Sequence, residues 1–181
     1  LQPVFEDPAL PKAAQNAKYD INVLKNYGIS VQGLVMDTMV AGYLLEPGAR
    51  SHNLDNLSQK HLNLRKIPIG DLIGTGAGQI TMDKVEVEKV CDYACEDADC
   101  VYCLTEKLRE ALKEEQLAEL FDKLELPLVE VLARMERNGV ALDTDLLAEM
   151  SNELECGLQE KELEIFKLAA CEFNINSPKQ L

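Results

Sequence analysis

Residues 85–114 read VEVEKVCDYACEDADCVYCLTEKLREALKE, and this stretch predicts one long amphipathic helix. At about 100° per residue its apolar side chains fall on one stripe, and most of its acidic side chains fall opposite. The stripe consists of Val90, Ala94, Val101, Leu104, Leu108 and Leu112. Asp97 breaks the pattern, because it lies at the edge of the apolar stripe with Tyr93 one turn earlier on the same side. A carboxylate at a buried face is unfavourable unless it is paired, hydrogen-bonded or bound to a metal, so Asp97 is the first candidate for a functional residue.

The residues before this helix have the pattern of a small α/β unit. Hydrophobic periodicity, β-branched runs and helix-ending glycines divide the segment into short elements. The predicted elements are a strand over 12–16, a helix over 18–27 that ends at Gly28, a strand over 29–36, a helix over 37–45 capped by Asp37 or Thr38, and a short helix over 52–62. Residues 67–80 contain the run Gly74-Thr75-Gly76-Ala77-Gly78. We interpret this run as a plain loop, because no strand and helix flank it as a phosphate-binding loop requires.

The pattern changes after Glu115, where helical spacing predicts helices over 117–137 and 143–170. Two helices of this length cannot bury both of their apolar faces without a partner. We therefore place a domain boundary near residues 113–118, which gives an α/β domain over 1–115 and an all-α segment over 116–181. The chain starts at Leu1 without a methionine, and we expect both of its ends to be cuts through a longer protein.

Composition excludes some classes of protein. The 181 residues carry a net charge of −14, which argues against tight non-specific DNA binding by this chain alone. It does not exclude a phosphate substrate bridged by metal ions, because carboxylates that hold cations are themselves acidic. We find no signal peptide and no apolar run long enough to span a membrane, and we expect a cytoplasmic protein.

The six cysteines are interpreted as reduced thiols, with a zinc site as the open alternative. Cys91 and Cys95 share one side of the long helix, whereas Cys100 and Cys103 point away from it. One tetrahedral site would therefore need severe distortion.

Two carboxylates and a tyrosine form the candidate catalytic set. Asp20 lies in the first turn of the helix that follows the first strand, and Asp97 lies one turn after Tyr93. Hydrolysis of a phosphodiester by metal ions needs carboxylates that converge on two cations about 4 Å apart. Structural alternatives remain open, since Asp20 is also placed to interact with a helix dipole and Asp97 can be a satisfied, partly buried carboxylate. His52 and His61 have no nearby nucleophile and are interpreted as structural or surface residues.

The same residues resemble motifs of a known family, the bacterial DNA polymerase I family (family A DNA polymerases). Gln15-Asn16-Ala17-Lys18-Tyr19-Asp20, followed by Asn26-Tyr27-Gly28-Ile29, resembles its second exonuclease motif. Tyr93-x-x-x-Asp97 is similar to the third motif. Asp37-Thr38-Met39 and His52-Asn53-Leu54-Asp55-Asn56-Leu57 match the stretch between the two. The motifs occur in the family's order.

Two later segments extend the resemblance over essentially the whole chain. Residues 127–140 resemble the start of the polymerase region, and residues 173–181 resemble the beginning of its thumb. The resemblance implies the C-terminal part of a ribonuclease H-like 3′-5′ exonuclease domain with few strands, followed by the first helices of a polymerase domain. The whole would be mostly helical.

The resemblance also implies a role for each site residue. Asp20 and Asp97 would bind Mg²⁺ (or Mn²⁺ or Zn²⁺), and Tyr93 would orient the attacking water. Gln15, Asn16 and Tyr19 match positions that line the single-stranded primer 3′ end. The family's first motif, Asp-x-Glu, is missing from these residues, so about half of the site is present and we expect weak or absent metal binding in this chain alone.

We therefore expect a parent enzyme that synthesises DNA on a template and proofreads it by metal-dependent 3′-5′ exonucleolysis during replication and repair. Its partners would be the single-stranded primer end and duplex DNA, with no membrane. The chain alone is expected to be inactive and to self-associate through exposed apolar surface. One alternative is a non-catalytic spacer in a polymerase whose proofreading has decayed. Another is an unrelated acidic helical interaction module, against which a strand pair around the Asp20 helix would count.

Overall fold

The computed structural model describes residues 1–180 and divides the chain into two compact units, Leu1–Asn138 and Gly139–Leu181. The helices and strands of the first unit are α1 (Gln2–Glu6), β1 (Lys12–Ala14), α2 (Ala17–Asn26), β2 (Leu34–Asp37), α3 (Thr38–Leu45), α4 (Leu54–Leu57), α5 (Ile69–Ile73), α6 (Val87–Glu114), α7 (Ala118–Leu120) and α8 (Leu126–Asn138). The π-helical turns Ser58–Leu62 and Phe121–Glu125 follow α4 and α7. This mostly helical α/β arrangement confirms the predicted fold class.

Strands β1 and β2 pair in parallel around α2, with Ala13 opposite Met36 and Ala14 opposite Asp37. A parallel pair needs a crossover connection, and α2 provides it. The strand pair that flanks the Asp20 helix counts against an unrelated helical interaction module. Strand β2 is shorter than the predicted strand over 29–36, and Gly33 precedes it in the left-handed region at φ +72°.

Helix α6 supplies the core of the first unit through its predicted apolar stripe. Val101, Leu104, Leu108 and Leu112 are buried, whereas Ala94 is exposed and Val90 is half-buried. Burial of each of these leucines contributes roughly 1.5–3 kcal/mol relative to exposure. The core cluster also contains Met36, Ala41, Leu54, Leu57, Cys100 and Phe121.

Arg109 joins α6 to β2 and to the turn before α8. Its guanidinium donates hydrogen bonds to the Val35 carbonyl and to Asp122, both at 2.5 Å, and lies over the Phe121 ring. These contacts keep the long helix against the edge of the two-stranded sheet, where the candidate site residues lie.

The segment over 67–80 differs from the predicted loop, because Ile69–Ile73 forms a short helix and Gly76–Gly78 a 3₁₀ turn. Pro68 precedes the short helix, and a proline favours a helix start because its φ is already suited to the first turn. Glycine at position 74 ends the helix at φ +78°. The glycine run does not lie between a strand and a helix, as expected.

The second unit is dominated by α9 (Thr144–Ala169), which the sequence predicts over 143–170. Asp143 caps it by accepting a hydrogen bond from the Leu146 N–H at 3.0 Å. Its described residues are exposed apart from Phe166, whose ring packs edge-on against Phe173 at 5.7 Å between ring centres. Over residues 1–180, no helix combines the length and the apolar character that crossing a membrane requires.

Candidate active site

The structure brings the two predicted carboxylates to one cleft. Asp20 lies in the first turn of α2, three residues after α2 begins, and Asp97 lies near the middle of α6. Both line a cleft of about 520 Å³. The other lining residues are Ala13, Ala14, Gln15, Leu54, Ala98, Val101 and Tyr102. The end of β1, the start of α2 and one face of α6 therefore form a single acidic concavity.

Asp37 positions the start of α2, and with it Asp20. The Asp37 carboxylate is 1 % exposed and accepts hydrogen bonds from the N–H groups of Asn16 at 3.1 Å and Ala17 at 2.7 Å. It also accepts from Met39 at 3.0 Å and Val40 at 3.3 Å at the start of α3. One side chain therefore accepts hydrogen bonds from the free N–H groups at the starts of two helices. The sequence pattern predicts only the cap on α3.

Electrostatics disfavour the charged form of Asp20. The residue as a whole is exposed, but partial burial of its carboxyl and the negative charge of Asp37 raise its pKa. A carboxylate held near a like charge is stabilised by a nearby cation. Asp20 therefore lies where a bound cation would favour its charged form, and its place in the first turn of α2 also suits an interaction with the helix dipole.

Asp97 is paired with a lysine that the sequence analysis did not single out. The Lys66 ammonium contacts Asp97 Oδ1 and lies 3.4 Å from Asp55 Oδ1. The same ammonium lies 5.1 Å from the centre of the Tyr93 ring. This pairing satisfies the partly buried Asp97, as the structural alternative expects. Asp97 also lines the same cleft as Asp20.

Burial and the charge of Asp97 together determine the pKa shifts of Lys66 and Tyr93. Burial lowers the pKa of Lys66, but the hydrogen bond and charge of Asp97 outweigh it, so the pKa of Lys66 is raised. Burial, followed by the charge of Asp97, raises the pKa of the Tyr93 hydroxyl. Tyr93 is therefore a neutral hydroxyl beside a carboxylate, which is the form that can donate a hydrogen bond.

The three predicted DNA-contacting residues are divided between two cavities. Gln15 lines the acidic cleft, where its amide donates to the His52 carbonyl at 2.8 Å and accepts from the Thr38 hydroxyl. Asn16 and Tyr19 instead line a cavity of about 500 Å³ between α2 and Glu136 and Arg137 of α8. The Tyr19 ring is 66 % exposed there.

The donor chemistry of the acidic cleft suits a divalent cation, since carboxylate oxygens are the ligands that Mg²⁺ prefers. Asp20 and Asp97 are the residues that would hold it. Within residues 1–180, no group of three or more His, Cys, Asp or Glu side chains is arranged to hold a metal ion. The Lys66 contact also means that Asp97 already has a cationic partner.

The histidines and cysteines lie outside the cleft. His52 packs edge-on against Tyr43 at 5.7 Å, and His61 is half-buried beside Lys60. Cys91 and Cys95 are exposed with their sulfur atoms 3.9 Å apart, whereas Cys100 is buried in the core. Cys91 and Cys95 thus share one side of α6, as the helical spacing predicts, and the buried Cys100 lies away from them.

Lys66 is the site residue that sequence reasoning missed. It stands in Leu64-Arg65-Lys66-Ile67-Pro68, a segment without helical or strand periodicity, so no phase indicates which side chain turns inward. The only available signal is the position of Asp97 at the edge of the apolar stripe of α6. A carboxylate there needs a cation or a hydrogen-bond donor, but the sequence does not show which residue provides it.

Comparisons with known proteins show the family to which the chain belongs. The sequence profile of a family described as 3′-5′ exonuclease, the exonuclease domain of DNA polymerase A, matches residues 1–113. Because this match covers more than half of the chain, the chain belongs to the 3′-5′ exonuclease family of DNA polymerase A.

Its curated relatives are bacterial DNA polymerases I. The chain is 41 % identical over 181 residues to the DNA polymerase I of Rhizobium leguminosarum, covering all of this chain and 18 % of that protein. It is 42 % identical over 184 residues to that of Pseudomonas aeruginosa, covering all of this chain and 20 % of that protein. The chain thus spans about a fifth of the length of these relatives.

A solved structure has the same fold. It is described as the POL domain of Pol1 from M. smegmatis in complex with DNA primer-template and dNTP. The TM-score is 0.75 at 26 % identity, over 97 % of this chain and 27 % of that chain.

Proposed function

We propose that this chain contributes part of the 3′-5′ exonuclease site of a DNA polymerase I. That enzyme would be a cytoplasmic protein that synthesises DNA on a template and proofreads it during replication and repair. The observation that carries the proposal is the shared cleft of Asp20 and Asp97 in a chain of the exonuclease family. The β1–α2–β2 unit packed on α6 supports a ribonuclease H-like exonuclease domain over the matched residues 1–113.

In this proposal each residue of the cleft has a distinct task. Asp20 and Asp97 hold Mg²⁺, Mn²⁺ or Zn²⁺, and Tyr93 orients the water that attacks the terminal phosphodiester. A bound divalent cation lowers the pKa of water and neutralises charge on the phosphate. The same cation would favour the charged form of Asp20, whose pKa is raised by burial and by the charge of Asp37. Carboxylates beyond these two would have to complete the ligand set.

The substrate would be the single-stranded 3′ end of a primer, with duplex DNA held elsewhere in the enzyme. Gln15 lies in the acidic cleft, next to the proposed reacting phosphate. The exposed Tyr19 ring offers a surface on which a base can stack, and Asn16 lines the same cavity. Cations would have to bridge the DNA to this chain, because its net charge of −14 repels the phosphates.

We also propose the domain division that the sequence predicts, with exonuclease residues over 1–115 and the start of the polymerase domain over 116–181. The family match ends at residue 113 and supports this boundary. The compact unit ends later, at Asn138, because α8 packs against α2. The Lys18–Glu136 ion pair at 2.6 Å is one of the contacts between these two helices.

A chimeric enzyme tests the proposed catalytic roles. Residues 1–181 would replace the aligned segment of the Pseudomonas aeruginosa relative, and removal of nucleotides from a mismatched 3′ end would be measured with Mg²⁺. We expect exonuclease activity in the chimera. Asp97→Ala should lower it by at least about a hundredfold, since even groups that only support metal ligands change activity by 10–100-fold. Tyr93→Phe should cause a partial loss.

Asp99→Ala is the matched control, because Asp99 is exposed on the same helix outside the cleft. It should leave the exonuclease rate unchanged. Equal rates for the chimera and its Asp97→Ala variant would contradict the role of Asp97. The chain alone is expected not to degrade single-stranded DNA, because two carboxylates cannot satisfy two cations that each take about six oxygen ligands.

The pairing of Lys66 with Asp97 supports a second candidate function, a non-catalytic spacer in a polymerase with decayed proofreading. In that case Asp97 serves only to neutralise a buried lysine. A chimera that synthesises DNA normally but removes no mismatched nucleotides, with or without Asp97, would establish the spacer.

A further inference from the structure

Lys66 is a buried cation directed at the candidate metal ligand. Its side chain is only 1 % exposed, although lysine is almost never fully buried without a partner. The ammonium contacts Asp97 Oδ1, lies 3.4 Å from Asp55 Oδ1 and faces the Tyr93 ring at 5.1 Å. It therefore touches two of the three residues proposed for catalysis.

The backbone holds Lys66 in this position. The N–H of the next residue, Ile67, donates to Glu96 Oε2 at 2.7 Å, which ties the segment after α4 to α6 one residue before Asp97. Lys66 is not one of the residues that line the cleft shared by Asp20 and Asp97, so its buried side chain reaches Asp97 from outside that lining.

We propose that the Lys66 ammonium is a built-in counter-cation of Asp97, and that a divalent cation can bind this carboxylate only by weakening or displacing that contact. The inference rests on the proposed function only in taking Asp97 as a metal ligand. Lys66 is therefore a positioning residue, because it keeps Asp97 and Tyr93 in place when no metal is bound. It also lowers the affinity of the site for metal.

The physical basis is competition between positive charges for one carboxylate. Two cations within about 4 Å repel each other strongly where water is largely excluded. Removing Lys66 leaves Asp97 partly buried without a counter-charge, which destabilises the metal-free chain and makes a metal ion a better partner. Lys66 thus stabilises the chain when no metal is bound and lowers its affinity for metal.

Binding of Mn²⁺ to the chain, measured by electron paramagnetic resonance of the free ion, tests the proposal without any activity assay. Lys66→Met keeps most of the apolar stem and removes the charge. We expect it to bind Mn²⁺ tighter by on the order of tenfold, the scale on which groups beside metal ligands act. Lys66→Arg, which keeps the charge, should bind Mn²⁺ as weakly as the unmodified chain.

Lys89→Met is the control for net charge, because it removes the same charge from an exposed lysine that pairs with Glu86. It should leave Mn²⁺ affinity unchanged. The double variant Lys66→Met/Asp97→Asn should lose the gain in affinity and recover the melting temperature in EDTA that Lys66→Met loses. Equal Mn²⁺ affinity of Lys66→Met and the unmodified chain would overturn the proposal, as would tight binding that persists in the double variant.

Folding of the variant is itself informative. If Lys66→Met is unfolded in EDTA, we expect Mn²⁺ to restore its circular dichroism, and a failure of Mn²⁺ to do so would also overturn the proposal. The result is independent of the exonuclease assay. If the chimera is inactive but Lys66→Met binds Mn²⁺ more tightly, only the proposed function is rejected. If the chimera is active but Lys66→Met binds Mn²⁺ no more tightly than the unmodified chain, only the proposed role of Lys66 is rejected.

Discussion

At the scale of single residues, Asp37 links the starts of two helices. Its buried carboxylate accepts four backbone hydrogen bonds, from Asn16 and Ala17 where α2 starts and from Met39 and Val40 in α3. Burial raises the pKa of Asp37, while these N–H donors act in the opposite direction. The position of Asp20, which is three residues into α2, depends on this interaction.

We expect Asp37→Ala to lower the free energy of unfolding by about 2–4 kcal/mol, because it removes two helix caps and leaves N–H groups buried without acceptors. Urea unfolding followed by circular dichroism measures this loss. Asn53→Ala is the matched control, since Asn53 caps only α4 through one hydrogen bond at 3.0 Å. It should cost about 1 kcal/mol, and an equal loss for both variants would contradict the double cap.

His61 should make stability depend on pH. Burial, followed by the charge of Lys60, lowers its pKa below the ordinary 6.5. A depressed pKa in the folded state means that the neutral imidazole contributes stability above pH 6.5, and that this contribution is lost as the pH falls through the folded-state pKa. We expect the unfolding free energy to fall as the pH drops below 6.5 toward the lower folded-state pKa of His61, and to fall less in His61→Gln.

An NMR titration of the imidazole provides the direct check on His61, with His61→Gln used to assign its signal against that of His52. A folded-state pKa at or above 6.5 would contradict the expectation.

The sequence could predict the positions and contacts of these residues only where helical periodicity or helix capping determines them. The phase of Asp97 on α6 and the cap by Asp37 on α3 are local features, and both are present in the structure. The second cap on α2 and the contact of Lys66 join residues that lie 20 and 31 positions apart. No helical or strand period spans such distances, so tertiary packing alone determines these contacts.

At the scale of elements, the short β1–β2 pair shows why strand boundaries were harder to predict than helices. The β-branched run over 29–36 predicts a strand, but the Ser30 N–H donates to Glu6 and the Gln32 N–H to the Phe5 carbonyl. These contacts with α1 replace sheet hydrogen bonds. Gly33, at φ +72°, then turns the chain so that pairing begins at Leu34.

Gly33→Ala tests this turn. A Cβ at position 33 would lie 2.7 Å from the Leu10 carbonyl oxygen and 3.0 Å from that of Pro8, which are backbone atoms that cannot rotate away. Gly28→Ala is the matched control, because Gly28 has a similar φ of +76° and no atom within 4 Å of the added Cβ. The left-handed conformation itself should cost each variant about 1–2 kcal/mol.

We therefore expect Gly33→Ala to be less stable than Gly28→Ala in thermal unfolding, with the difference due to the collision. Equal melting temperatures for the two variants would mean that the turn adapts without strain in the strand pair.

At the scale of the whole molecule, the most prominent feature is apolar surface without a partner. Eight large apolar residues of α9 are between 37 % and 82 % exposed. They are Leu146, Leu147, Met150, Leu154, Leu158, Leu163, Ile165 and Leu168. At about 100° per residue all of them except Leu163 lie on one face of α9. A large exposed apolar face usually marks an interaction site. The helix was predictable because its periodicity is local, but the sequence alone does not say what covers it.

We expect the chain to self-associate through this face of α9, because burying exposed leucines against a second copy removes apolar surface from water. The net charge of −14 opposes association, so added salt should strengthen it by screening the repulsion. Sedimentation equilibrium over a range of protein and salt concentrations measures both effects. Replacing Leu147, Leu154 and Leu158 with Gln should weaken association, because these residues share one helical face.

The control replaces Glu149, Glu153 and Glu160 with Gln on the opposite face. It lowers the negative charge and should leave association unchanged or stronger. If the leucine variant and the unmodified chain associate equally, another apolar surface is responsible. A monomer at every protein and salt concentration would instead show that repulsion between the acidic chains exceeds what burial of the α9 face contributes.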